Sequence, residues 1–466
     1  MNLSGVLRVI GPGAILLGMG IGSGEWVLGP AAAVKFGPSI LWIATVAIIV
    51  QILALLEATR YTMYTGEPLT TGLMRLWPGP RFWGSLLLLL LVLSLGWPVW
   101  AFGAATALVA AYLGRLSGPA DVSLLLPVGL VLALLVIAVL SVGGKVVRLL
   151  ELVQWVMVIF TFTALLALVA LTTPPSILIS TARGFLDFGK LPPIDIISAA
   201  LLLGAVAGYA GLGAFGNTFI SSYYRDKGFG MGALVGSIPT LIGGAKITLS
   251  PTGVAFKVNE DNLRKWGAWR KVALIDILGV FGVGAFLGMF LPAALALALI
   301  PVGSDIGGWA VAVYQGEELR KLYGIIGWAM VLVMGFWILY STQFALTEAV
   351  ARTATDILWY MSRVRQAAKG DVRRVYYVIL IILVLWIMAA FILFHIFKVN
   401  PLIAVALVAN MSNLVWPLTV LGNIYLNMKY LPKEIRPSPI IVAGLLVGVA
   451  FWLTFFALFI ASLILR

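Results

Sequence analysis

Apolar residues run almost unbroken through eleven stretches of the chain: 9–35, 38–61, 83–113, 122–142, 147–172, 194–223, 271–300, 322–349, 375–398, 401–427 and 439–464. Charged residues, prolines and glycines punctuate them. Each run is long enough to cross a hydrocarbon core of about 30 Å as a helix. None alternates with the period of two that a membrane barrel requires. The pattern predicts an all-α polytopic membrane protein of about eleven transmembrane helices, with the lipid bilayer as its main partner.

Two of the runs are interrupted. Span one carries GMGIGSGEWVLGP from Gly18 to Pro30, and span six carries GAVAGYAGLGAFGNTF from Gly204 to Phe219. Each glycine costs a helix interior about 1 kcal/mol relative to alanine. Clusters this dense predict that helices 1 and 6 unwind locally. Bare backbone at membrane depth persists only where it is buried in protein or lines a cavity. Gly/Pro-interrupted segments in matching places of two halves mark a transporter binding site. Glycines also let helices approach closely, but here both clusters open a half of the chain. LGWPVWAFG (95–103) and MGFWILYST (334–342) form a weaker echo in the third helix of each half. The expected organisation is a first five-helix repeat at 1–172 and a second at 194–427, related as a 5+5 inverted repeat. An extra C-terminal helix follows at 439–466.

Charge orients this arrangement. With the N-terminus inside and each span crossing once, 23 of the 31 Lys and Arg residues fall inside and 8 outside. That bias predicts a cytoplasmic N-terminus and an outside C-terminus. The absence of cysteine and the short loops fit residence in a prokaryotic cell's inner membrane. The loop 224–270 is expected to lie on the cytoplasmic side. The first apolar run continues past signal-peptide length and is expected to be retained as span one.

Composition excludes other classes. Charged residues make up 11% of the chain, against about 25% in soluble domains. The net charge of +13 resides largely in the inside loops, so nucleic acid is not an expected partner. The chain has no cysteine and one histidine, His395. Disulfides, cysteine chemistry and His-rich metal sites are thereby excluded. No nucleophile–base pair, metal triad or phosphate loop supports an enzyme, and no cofactor is expected. The sequence leaves the oligomeric state open.

The polar residues near the interruptions are the candidate chemistry. Gly22, Ser23, Gly24 and Glu25 lie in span one; Tyr209, Gly213, Ala214, Phe215, Gly216 and Asn217 lie in span six. Glu25 is an ionisable group inside a span, which marks it as a functional candidate. It suits either a proton carrier or a cationic substrate, with a structural bridge across unwound backbone as the plainer reading. Glu57 and Arg60 sit one turn apart near the inner end of span two. Asp276 lies near the inner end of span seven, and Glu348, Arg352 and Asp356 near that of span eight. These are expected proton or gating groups that form salt bridges on the cytoplasmic side.

GPGAILLGMGIGSGEWVLGPAAAVKFGPSILW (11–42) and STQFALTEAVARTATDIL (341–358) resemble the first two spans and the eighth span of the Nramp family of divalent-metal transporters. The resemblance implies a LeuT-type fold. It also implies a substrate site between helices 1 and 6, and alternating access by rocking of one helix bundle. The family's first motif, Asp-Pro-Gly-Asn, stands here as Gly22-Ser23-Gly24-Glu25. Its second, Met-Pro-His, stands as Ala214-Phe215-Gly216. The thioether that selects transition metals is replaced. The leading expectation is therefore a proton-coupled secondary transporter with an altered substrate, either a hydrated divalent ion or an organic cation. The run GIGSGEWVLG also resembles the first helix of amino-acid permeases. That likeness implies the alternative, an amino-acid or other carboxylate solute held by the Gly22-Ser23-Gly24 backbone.

Overall fold

In the computed structural model, residues 11–115, 117, 121–142, 146–241, 249–304 and 310–465 are described. The expected span start at 9–10, loop residues 242–248 and the terminal Arg466 lie outside them. Every extended run has become helix. Nine helices among the described residues are long and apolar enough to cross a membrane. The two interrupted runs bring the spans to eleven.

Span one is α1 (Pro12–Gly20), then a π-helical turn (Gly24–Leu28) that continues into α2 (Gly29–Phe36). Span two is α3 (Trp42–Thr65). Span three is split into α4 (Pro80–Leu95) and α5 (Val99–Leu113). Pro98 stands at the split, where it removes an N–H that a continuous helix would use. Spans four and five are α6 (Val122–Leu140) and α7 (Val146–Thr172). Span six is α8 (Ile196–Tyr209) and α9 (Gly216–Lys227), with an unwound stretch between them.

Span seven is longer than its apolar run. α10 (Glu260–Leu274) passes through a π-helical segment (Ile275–Gly282) into α11 (Val283–Leu299). The charged NEDNLRKW stretch, read as loop, is therefore the first turns of this helix. Asn259 caps it by accepting from Asn262 N at 2.8 Å, and Glu260 and Asp261 suit the positive end of the dipole. Span eight is α12 (Ala310–Trp359), kinked at Gly324, whose φ of 62° lies outside helical geometry. The helix before the kink was hidden in the sequence by the charges at 317–321. Spans nine to eleven are α13 (Val372–Ile396), α14 (Pro401–Tyr430) and α15 (Pro439–Ile464).

The packing repeats itself when each span is exchanged for the one five later. α2 packs on α11, as α9 packs on α3. α1 packs on α7, as α8 packs on α14; α5 packs on α6, as α12 packs on α13. The third and eighth spans touch each other, as do the fourth and ninth. Because five is odd, the second set enters from the opposite side of the bilayer, which inverts it. α15 stands outside both sets, against α14, α8 and α3. The exchange brings the two interrupted helices together at the centre.

The described parts of the segment after α9, 228–241 and 249–259, are docked on other elements. Gly230 sits against Met63, and Gly253 N donates to Glu67 Oε2 at 2.9 Å. Trp359 Nε1 donates to Leu249 O at 3.0 Å.

Candidate functional site

Helix α1 ends at Gly20, and the chain restarts as a helix with Trp26 N bonded to Gly22 O at 2.9 Å. Gly22 is thus the N-cap of the second half. Glu25 reaches back so that its Oε2 accepts from Gly22 N at 3.3 Å. This is half of a capping box, made by the third helical residue. The other oxygen, Oε1, accepts from Gly211 N in span six at 2.7 Å. Glu25 is fully buried, and both its oxygens are committed to backbone. It staples the two interruptions together.

The stretch between α8 and α9 runs from Ala210 to Phe215, and its backbone groups are met by side chains from other helices. Gln51 Nε2 donates to Ala210 O at 2.8 Å and to Leu212 O at 3.1 Å. Ser412 Oγ accepts from Ala214 N at 3.0 Å. Gly211 and Phe215 adopt φ of 88° and 65°. The first is cheap for glycine; the second puts a side chain in the left-handed region, where Phe215 caps α9 and stacks on Phe219.

A cavity of about 20 Å³ lies between the halves, roughly the space of one water. Met19, Gly20, Gly22, Ser23 and Gly24 form one wall. Trp100, Tyr209 and Gly213 face them, and Thr342 and Leu346 close it from α12. Trp100 Nε1 donates to Ser23 Oγ at 3.0 Å, and the Trp100 and Tyr209 rings stack at 6.1 Å. The Thr342 hydroxyl lies 3.3 Å from the Met19 and Ile21 carbonyls that α1 leaves free.

Of the ten candidate binding residues, the structure places Gly22, Ser23, Gly24, Tyr209 and Gly213 on this cavity. Glu25, Ala214, Phe215, Gly216 and Asn217 do not line it. Gly216 lies under the Trp416 indole, where a Cβ would come within 2.9 Å of Cη2. Asn217 is fully buried, and its two amide atoms have no hydrogen-bond partner in the protein.

The gating candidates separate into three groups at the end where α1 begins. Glu57 and Arg60 pair at 2.7 Å, and Arg60 Nη1 donates to Ile435 O. Asn427 Nδ2 donates to Glu57 Oε2 at 3.1 Å, so this pair ties α3 to α14 and its following turn. Asp276 caps a helix rather than joining the arginine network. Its oxygens accept from Gly11 N at 3.0 Å, Gly13 N at 2.9 Å and the Tyr224 hydroxyl at 3.0 Å. A carboxylate suits the positive end of α1.

The third group is a buried lattice. Glu348 and Asp356 are joined through Arg352, Asp226 and Arg225. Arg352 Nε donates to Glu348 Oε1 at 2.8 Å, and Nη1 pairs with Asp226. Arg225 Nε donates to Asp226 Oδ1 at 2.7 Å, and its Nη1 pairs with Asp356. Nearby, Lys227 Nζ pairs with Glu151 at 2.6 Å.

Arg225 and Asp226, like Gln51, Thr342 and Ser412, were missed in the sequence. A signal existed for the first two. Glu348, Arg352 and Asp356 repeat every four residues on one face, with an uncompensated negative charge that demands a cation from another helix. Gln51, Thr342 and Ser412 carry no such signal, since isolated polar residues in spans commonly pair with any neighbour.

Among the described residues, no group of three or more His, Cys, Asp and Glu side chains is placed to hold a metal ion. No protein-family model matches the sequence, and no curated protein sequence matches it. Solved structures do resemble it. A manganese transporter of Eremococcus coleocola, in complex with an aromatic bis-isothiourea substituted compound, superposes with a TM-score of 0.64 at 15% identity. The match covers 99% of this chain and 86% of that one. Mhp1, a nucleobase-cation-symport-1 family transporter in a closed conformation with bromovinylhydantoin bound, gives 0.55 at 14% identity. That match covers 98% of this chain and 90% of that one. Both are secondary transporters of the LeuT fold, and this chain has that fold.

Proposed function

We propose that the protein is a secondary active transporter working by alternating access, with its solute held between the two interrupted helices. The solute is a small organic molecule with a carboxylate or similar anionic head. The observation that carries this reading is the engagement of Glu25. Both of its oxygens are engaged by Gly22 N and Gly211 N, and the side chain does not line the cavity, so it is turned away from a cation held there. What faces the cavity instead is the start of a helix. The N–H groups of Ser23 and Gly24 precede the first intrahelical bond, at Trp26. Such groups lack helical partners and sit at the positive end of the dipole. Trp100 and Tyr209 supply an apolar wall for the rest of the solute. The water-sized cavity fits a closed state that must expand to load. Proton coupling and a cytoplasmic N-terminus complete the proposal, the latter from the Lys/Arg bias.

Two variants of one residue test it. Ser23 has a φ of −65°, the value that proline fixes. Proline is also tolerated at the first helical position. Ser23→Pro therefore removes one N–H with little strain, while Ser23→Ala removes only the hydroxyl. Thermal-shift titrations with amino acids, other organic acids, organic cations and divalent metals would be run on both. A stabilising carboxylate solute whose affinity falls about tenfold or more in Ser23→Pro relative to Ser23→Ala supports the reading. Stabilisation by manganese or magnesium alone, lost in Glu25→Gln, would replace it with the cation reading.

A further inference from the structure

We infer that the lattice between α9 and α12 is the binding site of the coupled proton, and that the proton resides on Glu348. The inference rests on the transporter reading. Along the lattice the charges alternate: Glu348, Arg352, Asp226, Arg225, Asp356. Three carboxylates meet two guanidinium groups, leaving one negative charge uncompensated. All five side chains are at most 3% exposed. An uncompensated buried charge is strongly disfavoured, and uptake of one proton cancels it.

Connectivity excludes the middle carboxylate, and depth chooses between the two ends. Asp226, in the middle, receives both arginines and Ile238 N. The two ends each share one arginine with it. Asp356, at the outer end, accepts from Ser222 Oγ at 2.7 Å and from Arg225. Glu348 is the deep end. It lies six residues along α12 from Thr342 of the cavity wall, or about 9 Å of helix. Arg352 and the Tyr376 hydroxyl engage its Oε1. Among the described residues its Oε2 accepts only from the Tyr223 hydroxyl, at 2.9 Å. A proton on Oε2 needs only that hydroxyl to turn and accept. The charged and titratable groups facing Glu348 are thus Tyr223, Arg225 and Asp226 of α9, Arg352 and Asp356 of α12, and Tyr376 and Tyr377 of α13. No charged side chain from α1, α4, α5, α7 or α11 bonds to it among the described residues.

The lattice also crosses the boundary that has to part. Glu25, Gln51 and Asp276 tie spans one, two, six and seven to one another. The lattice ties span six to spans eight and nine. Closing this end brings the five charges out of water and favours proton uptake. Opening it hydrates them and favours release. By linkage, acid pH holds this end closed and higher pH lets it open.

The chain has no cysteine, so one introduced thiol reports the gate without any solute. The full-length protein carrying Leu346→Cys would be reconstituted in liposomes. Labelling would be timed with a membrane-impermeant maleimide applied at the face where α1 begins. The labelling rate, corrected for the thiolate fraction, is expected to rise with pH, by up to about tenfold per unit for one coupled proton. Adding Glu348→Gln is expected to leave labelling slow and flat with pH. A Glu348→Gln profile that tracks the parent overturns the inference. Should that variant not accumulate, Tyr223→Phe decides. It removes a donor to the charged form and an acceptor from the neutral one; the bond to the ion is the stronger, so the midpoint is expected to move to higher pH. An unmoved midpoint overturns the inference equally. Uptake plays no part in the readout, so an error in the solute class leaves this result intact.

Discussion

The two interruptions at the centre of the protein solve one physical problem in different ways. Span one breaks over Ile21–Gly22 and repairs itself. Its new helix is capped from within, by Glu25 reaching back to Gly22 N. Span six breaks over Ala210–Phe215, three times as long, with two left-handed residues and no side-chain cap bond of its own. Its exposed groups are met by Gln51 from span two, Glu25 from span one and Ser412 from span ten. A short break can be encoded locally. A long one has to borrow partners, and so becomes the place where several helices are coupled. If span six is the more dependent of the two, damage to its partners will spread further than damage to the self-capped turn.

The largest effect is expected where the breaks meet. A Cβ on Gly20 would stand 2.0 Å from the Gly211 carbonyl oxygen, backbone against backbone. Neither side can yield by rotating a side chain. Gly20→Ala is therefore expected to cost about 3 kcal/mol or more, the upper range for overpacking. Monodisperse protein on gel filtration with an unchanged melting temperature would show that the two interruptions are not in contact.

Gln51 and Glu25 come next, and they pull the comparison apart. Gln51→Leu leaves two buried carbonyls of span six without their donor, a loss of about 2–3 kcal/mol. Glu25→Gln is milder. Its remaining carbonyl oxygen still accepts from Gly211 N, and only the longer contact to Gly22 N is given up, at about 1 kcal/mol. Chemical denaturation or thermal melting of the two variants side by side measures the difference. Equal losses would mean that span six is no more dependent than span one. The same Glu25→Gln protein also locates the proton. Pressed by the sequence alone, one assigns coupling to this carboxylate; with the proton on Glu348, gate labelling in Glu25→Gln keeps its pH dependence. Flat labelling there, with a normal profile in Glu348→Gln, would return the coupling site to the break.

This contrast also explains what could be read from the sequence. Hydropathy gave the eleven spans, because bilayer thickness leaves helices of that length few alternatives. Glycine density gave both breaks, because the cost is intrinsic to the residue. The Gly22-to-Glu25 turn was legible as a site because all its parts are adjacent. The start of α10 was not, since a helix that emerges from the bilayer looks like polar loop. Nor were Gln51 and Ser412, whose partners lie 159 and 198 residues away. The lattice was half legible. Glu348, Arg352 and Asp356 announce a shared face, while Arg225 and Asp226 acquire meaning only when α9 is laid beside α12.

The smallest effect expected is the most discriminating, because it separates dependence from mere contact. Ser412→Ala removes the acceptor from Ala214 N and touches neither Glu25 nor Gln51. On its own it is expected to cost about 1 kcal/mol. If the long break is a cooperative unit held from three sides, loss of one partner loosens the grip of the others. The double variant Ser412→Ala with Gln51→Leu should then lose less than the sum of its parts, since the second partner was already weakened. Residues that share a structural unit deviate from additivity by about 0.5–3 kcal/mol, whereas independent sites add within about 0.5 kcal/mol. Ser23→Ala combined with Gln51→Leu supplies the reference from the self-capped break. Simple additivity in both pairs would mean that span six is met by three independent bonds, and that no coupling between helices needs to run through it.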